Sequence, residues 1–149
     1  MSDDLAPSKK KRRSGIPTGN AGEYFVMGEL LRRGYDAQLA DRNTKGYDLL
    51  VGRSGTTTDM RKVQVKSVRS APWYVNPGSF QGDAAGQITV YVLVGPEGAL
   101  NPVRYFIARN RDVAKDVHVP AGWTSGAFLS MKALADYEVK EIGWDAILG

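Results

Sequence analysis

Apolar residues recur with a helical period between residues 20 and 33, which predicts an amphipathic α-helix there. Thr18 or Asn20 can cap the first turn of this helix, and Gly34 is well placed to end it. The apolar stripe comprises Val26, Met27, Leu30 and Leu31. Glu23 lies in the middle of that stripe, where a carboxylate costs free energy unless a positive group meets it. The pattern therefore singles out Glu23 as a candidate functional residue.

Alternating or continuous apolar runs after the helix predict a set of strands. The predicted strands are residues 35–40, 47–52, 61–67, 87–94 and 103–108. The run 87–94, QITVYVLV, is apolar on both faces and is therefore predicted to be a central strand. Beyond it, Asn110 can cap a short helix that reaches Val117, and a last helical stretch starts near Ser130. Trp144 and Ile147 are predicted to close the core.

The second and third predicted strands form a hairpin that brings polar residues together. A turn centred near Thr56 or Thr57 sets Asp48 opposite Gln64 or Lys66. In KVQVKS the two valines point to one face of the sheet, and the glutamine and second lysine to the other. If helices cover the sheet on both sides, these polar groups converge in its interior as a site. If one face meets water, Asp48 and Lys66 form only a cross-strand ion pair.

The residue types of this group suit metal-dependent hydrolysis of a phosphodiester. Asp48 and the side-chain amide of Gln64 supply oxygen ligands to a divalent ion, and Glu23 completes the shell or orients a water. Lys66 polarises the attacking water or stabilises the charged phosphate. The predicted catalytic residues are Glu23, Asp48, Gln64 and Lys66, and the predicted metal ligands are Asp48, Gln64 and Glu23.

Length and composition restrict the class of protein. The chain has 149 residues, of which 42% are hydrophobic, and this length suits one domain with one core. No run approaches the roughly 18 apolar residues of a membrane span, and the start of the chain lacks the apolar segment of a secretory signal. The absence of cysteine excludes disulfides and fits a cytoplasmic location. The one histidine, His118, is predicted to be structural, so a metal site must use mainly oxygen ligands, which suits Mg²⁺ or Mn²⁺.

Most of the excess positive charge lies in the first residues. The net charge is +4, and residues 1–15 contribute +3 of it through five basic and two acidic side chains. The basic side chains are Lys9, Lys10, Lys11, Arg12 and Arg13. Residues 1–17 are predicted to be a disordered tail that binds DNA phosphates or only aids solubility, and residues 18–149 to be the folded domain.

Two segments resemble the PD-(D/E)xK nuclease superfamily. GYDLLV…VQVKS is similar to its signature, with Asp48 as the acidic residue, Gln64 in the (D/E) place and Lys66 as the lysine. GNAGEYFVMGELLRRGYDA resembles the opening helix of the Holliday-junction-resolvase and small-endonuclease branches, in which a glutamate near the helix start corresponds to Glu23. The resemblance covers residues 19–67. It implies a restriction-endonuclease-like α/β fold, a mixed central sheet flanked by helices, and cleavage of DNA with Mg²⁺ or Mn²⁺.

Gln64 departs from the family pattern because it replaces a carboxylate. The substitution removes one negative charge, so the ion is expected to bind more weakly. A catalytically lapsed module of the same fold, which binds nucleic acid or a protein partner, is the alternative function. A regulatory protein with no nucleic-acid role is a second alternative. Nucleases that cut two strands often dimerise, so a homodimer is compatible with the nuclease prediction.

Two residues of the polar segment 69–86 are predicted to contact DNA. Arg69 can grip a phosphate, and Trp73 can stack on a base or wedge a duplex. A flap that covers the core with Trp73 and Tyr74 is an equally good interpretation of the same segment.

Overall fold

The computed structural model describes residues 15–41, 43–44, 46–55, 59–98 and 101–149. The helices are α1 (Ile16–Arg32), α2 (Asn110–Val113) and α3 (Met131–Leu134). The strands are β1 (Tyr35–Leu39), β2 (Leu49–Arg53), β3 (Arg61–Val68), β4 (Trp73–Val75), β5 (Ile88–Leu93), β6 (Arg104–Arg109), β7 (Ala127–Leu129) and β8 (Glu138–Val139). No helix within these ranges combines the length and the apolar character needed to cross a membrane.

Six strands form one mixed sheet in the order β1-β2-β3-β5-β6-β8. Every neighbouring pair is antiparallel except β3 and β5, which are parallel. Parallel neighbours need a crossover connection, and here residues 69–87 supply it. The predicted mixed α/β fold with a central sheet is confirmed, and all five predicted strands are present.

α1 starts earlier than the pattern predicts. It begins at Ile16 rather than Asn20, because Pro17 is tolerated in a first turn, whose N–H groups need no partner within the helix. Neither Thr18 nor Asn20 caps it, since both lie inside the helix, and the residue before the helix makes no side-chain cap hydrogen bond. Gly34 follows the helix with φ 92°, as predicted for a glycine that ends a helix.

The two faces of the sheet are covered differently. α1 covers one face, where its buried residues pack with Val63 and Val65 of β3. Trp144 and Ile147 close this core, as predicted. The crossover, β7 and the short helices cover the other face, where Trp73 packs with residues of β5 and β6. Because side chains alternate along a strand, Gln64 and Lys66 lie on this second face.

β4 is a strand that the sequence pattern did not predict. It is only three residues long, lies in a segment rich in Gly and Pro, and pairs with β7, which lies more than 50 residues further along the chain. A strand of this length owes its stability to its partner and to the core beneath it rather than to its own residues. The flap interpretation of the crossover is therefore correct for Trp73, which is buried, but not for Tyr74, which is exposed.

Asn110 is not the helix cap that the sequence predicts. It is the first residue of α2, and its buried side chain accepts a hydrogen bond from Thr89 Oγ1 at 2.7 Å. Its amide nitrogen donates to the carbonyl oxygens of Ser79 at 3.0 Å and Ala84 at 2.9 Å. Asn110 therefore ties the crossover to the sheet. α3 begins beside Ser130, as predicted, and Ser130 caps it by accepting from the backbone N–H of Ala133.

The predicted tail lies almost entirely outside the described residues. The described part begins at residue 15, so the structural state of Lys9, Lys10, Lys11, Arg12 and Arg13 stays a prediction. Ile16 and Pro17 belong to α1, which moves the start of the folded part ahead of the predicted residue 18. His118 forms a β-bridge with Phe128, and the two rings lie 4.8 Å apart, as suits its predicted structural role.

Candidate active site

Asp48 is held against β3 by two hydrogen bonds. Its backbone N–H donates to the carbonyl oxygen of Val63 at 2.9 Å, and its Oδ2 accepts from the backbone N–H of Val65 at 2.8 Å. The β2–β3 ladder ends at the pair of Leu49 and Val63. Beyond it, the backbone N–H of Val65 donates to the Asp48 carboxylate instead of to a backbone carbonyl of β2. Val65 lies between Gln64 and Lys66 in the chain, so the hydrogen bond fixes the carboxylate against the backbone of the β3 segment that carries both.

The strand register agrees with the sequence prediction. Leu49 pairs with Val63 and Leu50 with Lys62 in the antiparallel ladder. One further step along this register places Asp48 across from Gln64. The described residues flank but do not include the predicted turn at Thr56 and Thr57.

Glu23 and Asp48 line one cavity of about 260 Å³. Glu23 reaches it from α1, which approaches β3 closely because Gly22 lies directly against Ser67. Both carboxylates are half-buried. The structure therefore brings together the helix carboxylate and the strand carboxylate that the sequence singled out.

Asp41 lines the same cavity and was not predicted. It lies in the loop between β1 and β2, where its carboxylate accepts from the N–H of Asn43 and its carbonyl from the N–H of Thr44. The backbone N–H of Ala40 donates to the carbonyl oxygen of Asp48, so the loop leaves the sheet beside the site. An acidic residue just after β1, at the sheet end that carries Asp48, is the signal by which it could have been found.

Gln64 and Lys66 line a different and much smaller space of about 10 Å³. Ser79 and Phe80 of the crossover close this space from above, and Tyr91, the partner of Lys66 in the parallel register, lines its floor. The volume is near the smallest that holds one water. The structure thus divides the predicted group between two cavities rather than one, with the anchored carboxylate of Asp48 at the β2–β3 boundary.

The division has a simple physical cause. α1 covers the valine face of β3, and the crossover covers the face of Gln64 and Lys66. Glu23 approaches from the α1 side, so it meets Asp48 at the end of the ladder and not the residues beneath the crossover.

Burial raises the pKa of Tyr91 above its ordinary value, although a hydrogen bond with Thr89 opposes the shift. Tyr91 therefore presents a neutral hydroxyl group beside Lys66 at physiological pH. Away from the site, burial and then a hydrogen bond with Asp145 raise the pKa of Tyr35 to about 12.

The donor types around the cavity fit a hard divalent cation. Mg²⁺ and Mn²⁺ prefer oxygen ligands such as the carboxylates of Glu23, Asp41 and Asp48, which line this cavity. The amide oxygen of Gln64 is of the same type but lines the smaller space. Within the described ranges, no three Asp, Glu, His or Cys side chains stand close enough together to enclose an ion. The residue types thus fit the ion, and its binding requires them to draw together.

The two predicted DNA contacts in the crossover differ in outcome. Trp73 is wrong as a stacking residue, because it is fully buried and its Nε1 donates to the carbonyl oxygen of Val92 at 3.2 Å. Alternation along β4 turns Tyr74 outward instead, where it stacks on Trp123 with ring centroids 6.3 Å apart. Arg69 is half-buried directly after β3, and its contact with DNA stays a prediction.

Comparison with known proteins shows a likeness in structure alone. No protein-family model matches the chain, and no curated protein matches it in sequence. The structure is similar to Hjc, a Holliday junction resolvase from the archaeal hyperthermophile Archaeoglobus fulgidus, with a TM-score of 0.52 and 13% identity over 83% of this chain and 91% of that one. It is also similar to the bacterial homing endonuclease I-Ssp6803I, with a TM-score of 0.50 and 15% identity over 78% of each chain. The chain therefore has the restriction-endonuclease-like fold.

Proposed function

We propose that this chain is a metal-dependent endodeoxyribonuclease that acts through Glu23, Asp48, Gln64 and Lys66. The observation that carries the proposal is the anchoring of the Asp48 carboxylate by the Val65 amide. The hydrogen bond fixes a carboxylate at the end of the β2–β3 ladder, in the cavity that Glu23 also lines. The nuclease fold supports the same conclusion.

Each residue has a distinct role in this proposal. Asp48 and Glu23 supply negative charge from two sides of one cavity. Gln64 adds a neutral oxygen ligand, and Lys66 adds a positive charge that stabilises the negative charge developing on the phosphate. A bound Mg²⁺ or Mn²⁺ ion would supply Lewis acidity and a reactive water, and these oxygen donors would hold it.

The alternative is a nuclease-fold module that binds nucleic acid without cleaving it. The observation that favours it is the cover of Ser79 and Phe80 over Gln64 and Lys66, which leaves no room for a phosphate group. Cleavage requires the crossover to shift, or the lysine side chain to turn toward Asp48. A lapsed site needs neither movement.

Incubation with plasmid and branched DNA in Mg²⁺ or Mn²⁺ separates the two functions. The wild-type chain is expected to cleave, Asp48→Asn to bind DNA without cleaving it, and Lys66→Ala to cleave far more slowly. Asp112→Asn, an exposed carboxylate of α2, is the matched control and should cleave like wild type. If the wild-type chain binds DNA but cleaves none of these substrates with either metal, the non-cleaving module is the correct function.

A further inference from the structure

A larger cavity of about 630 Å³ adjoins the carboxylate cavity, and Tyr47 lines both. We call it the basic cleft, because three of its lining side chains are cationic. Arg61 and Lys62 enter it from the start of β3, and Arg109 enters it from the end of β6. Asp83 is the one carboxylate side chain among its described lining residues.

Strand register explains why cations from distant parts of the chain meet here. Ile88, at the start of β5, pairs with Val63 on one side and with Arg109 on the other. The N-terminal end of β3 and the C-terminal end of β6 therefore flank the same residue. Arg61 and Lys62, which begin β3, lie at that end of the sheet.

The cations of the basic cleft are available to a ligand. Arg61 and Lys62 are exposed, and neither forms an ion pair within the part of the chain that the structure describes. The ammonium group of Lys62 lies 5.2 Å from the centre of the Tyr47 ring. Arg109 donates from one nitrogen to the carbonyl oxygen of Gly86 at 3.0 Å, which orients its guanidinium group.

Several arginines elsewhere on the surface pair with carboxylates. Arg33 pairs with Glu29, and Arg104 pairs with Glu138. The basic cleft has three cationic side chains against the single carboxylate side chain of Asp83, so its electrostatic potential favours an anion.

We propose that the basic cleft binds the phosphodiester backbone of the nucleic acid on one side of the bond that is cut. The inference rests on the proposed function, because it places the scissile phosphate at Glu23 and Asp48, across Tyr47 from the cleft. The two cavities share Tyr47, so one ligand that spans both must have several negative charges, and its class is therefore a polyanion. A strand with a phosphate every 3.4 Å or so along a duplex axis has phosphates for both cavities at once. A single phosphate has a charge for only one of them.

Salt-dependent binding of the full chain to a labelled DNA duplex, in buffer without divalent metal, tests this site. The variants are Arg61→Gln, Lys62→Gln and their combination, which replace exposed side chains and leave the fold intact. Affinity falls as salt rises, and each lost phosphate contact should make the slope of log affinity against log salt less steep by about 0.9. The double variant should therefore be less steep by about 1.8. Lys132→Gln on α3 removes the same charge as each single variant, but outside the cleft, and should leave the slope unchanged.

The outcomes separate this inference from the proposed function. If the cleft variants bind with the affinity and slope of Lys132→Gln, the inference is overturned, whether or not the wild-type chain cleaves DNA. If the cleft variants lose slope and the wild-type chain cleaves nothing, the backbone site stands and the nuclease proposal fails. A mononucleotide is compared with unlabelled duplex as a competitor. If both displace the labelled duplex at similar concentrations, the ligand is not a polyanion and the cleft is a small-anion site.

Discussion

The carboxylate of Asp48 and the backbone amide of Val65 are joined by a 2.8 Å hydrogen bond that takes the place of a rung in the β2–β3 ladder. Val65 is itself buried against α1 on the opposite face from Gln64 and Lys66. The charge of the candidate site is therefore positioned by the sheet backbone, and its position depends little on the rotamers of neighbouring side chains.

This hydrogen bond predicts different stabilities for two substitutions of Asp48. Asp48→Asn retains an oxygen that can accept from Val65, so its free energy of unfolding should stay near that of wild type. Asp48→Ala leaves the amide without its partner and should lose about 1–3 kcal/mol. Urea unfolding measures both. Equal stability of the two variants would show that the hydrogen bond does not support the fold.

Gln64→Glu is expected to lower the Mg²⁺ concentration for half-maximal cleavage. The glutamate side chain has the same length as the glutamine side chain and adds a negative charge in place of the neutral amide. Titration of cleavage with Mg²⁺, and calorimetry of Mg²⁺ or Mn²⁺ binding, measure the effect. Gln38→Glu on the exposed side of β1 makes the same change of charge away from the site and should have no effect. A Gln64→Glu variant that needs as much metal as wild type would exclude Gln64 as a ligand.

Two glycines of α1 should respond oppositely to alanine. A Cβ on Gly22 would lie 1.6 Å from Ser67 Oγ, so Gly22→Ala must push the helix from β3 and should cost about 1–3 kcal/mol. It should also reduce cleavage, because Glu23 is the next residue. A Cβ on Gly28 meets nothing within 4 Å, and Gly28→Ala should stabilise the helix by about 0.5–1 kcal/mol. Thermal unfolding compares them, and a stabilised Gly22→Ala would contradict the close packing of α1 on β3.

Asn110→Ala should release the crossover from the sheet. The substitution removes three hydrogen bonds and leaves the buried hydroxyl of Thr89 without its acceptor, which should cost about 1–3 kcal/mol. Amide hydrogen exchange in residues 77–86 should become faster, while exchange in β5 away from this segment changes less. Asn101→Ala at an exposed loop position is the control. Unchanged exchange would show that other contacts hold the crossover.

The ion pair of Arg104 and Glu138 is expected to make a contribution to the free energy of unfolding that depends on pH. Two hydrogen bonds from Arg104, at 2.7 and 2.8 Å, lower the pKa of Glu138 below its ordinary value, although partial burial opposes the shift. A carboxyl group with a lowered folded-state pKa stabilises the protein above its unfolded pKa. That contribution disappears as the pH falls through the folded-state pKa.

Arg104→Gln should therefore be less stable than wild type near neutral pH, by no more than about 1 kcal/mol because the arginine side chain is 46% exposed to solvent. The difference should shrink in acid, where Glu138 is protonated in both proteins. Urea unfolding across this pH range, with Lys132→Gln as the control for net charge, measures it. A difference that stays constant with pH would assign the effect to packing of the arginine.

Local sequence pattern determined much of this structure. The alternation of Val63, Gln64 and Val65 decided which side chains of β3 share a face, because successive residues of a strand point to opposite sides. The length of the hairpin limited the residue across from Asp48 to Gln64 or Lys66, and the observed register selects Gln64. Gly34 marked the end of α1.

Contacts between distant residues decided the rest. Trp73 and Tyr74 look alike in sequence, yet pairing of β4 with β7 buries the first and exposes the second. The sequence pattern grouped Lys66 with Glu23, but the structure placed it beneath the crossover. Periodicity determines which residues share a face, because that depends on neighbours in the chain. The segment that covers each face comes from a distant part of the chain, because burial of apolar surface is favourable whatever the sequence separation of the segments. Only the tertiary structure shows which segment that is.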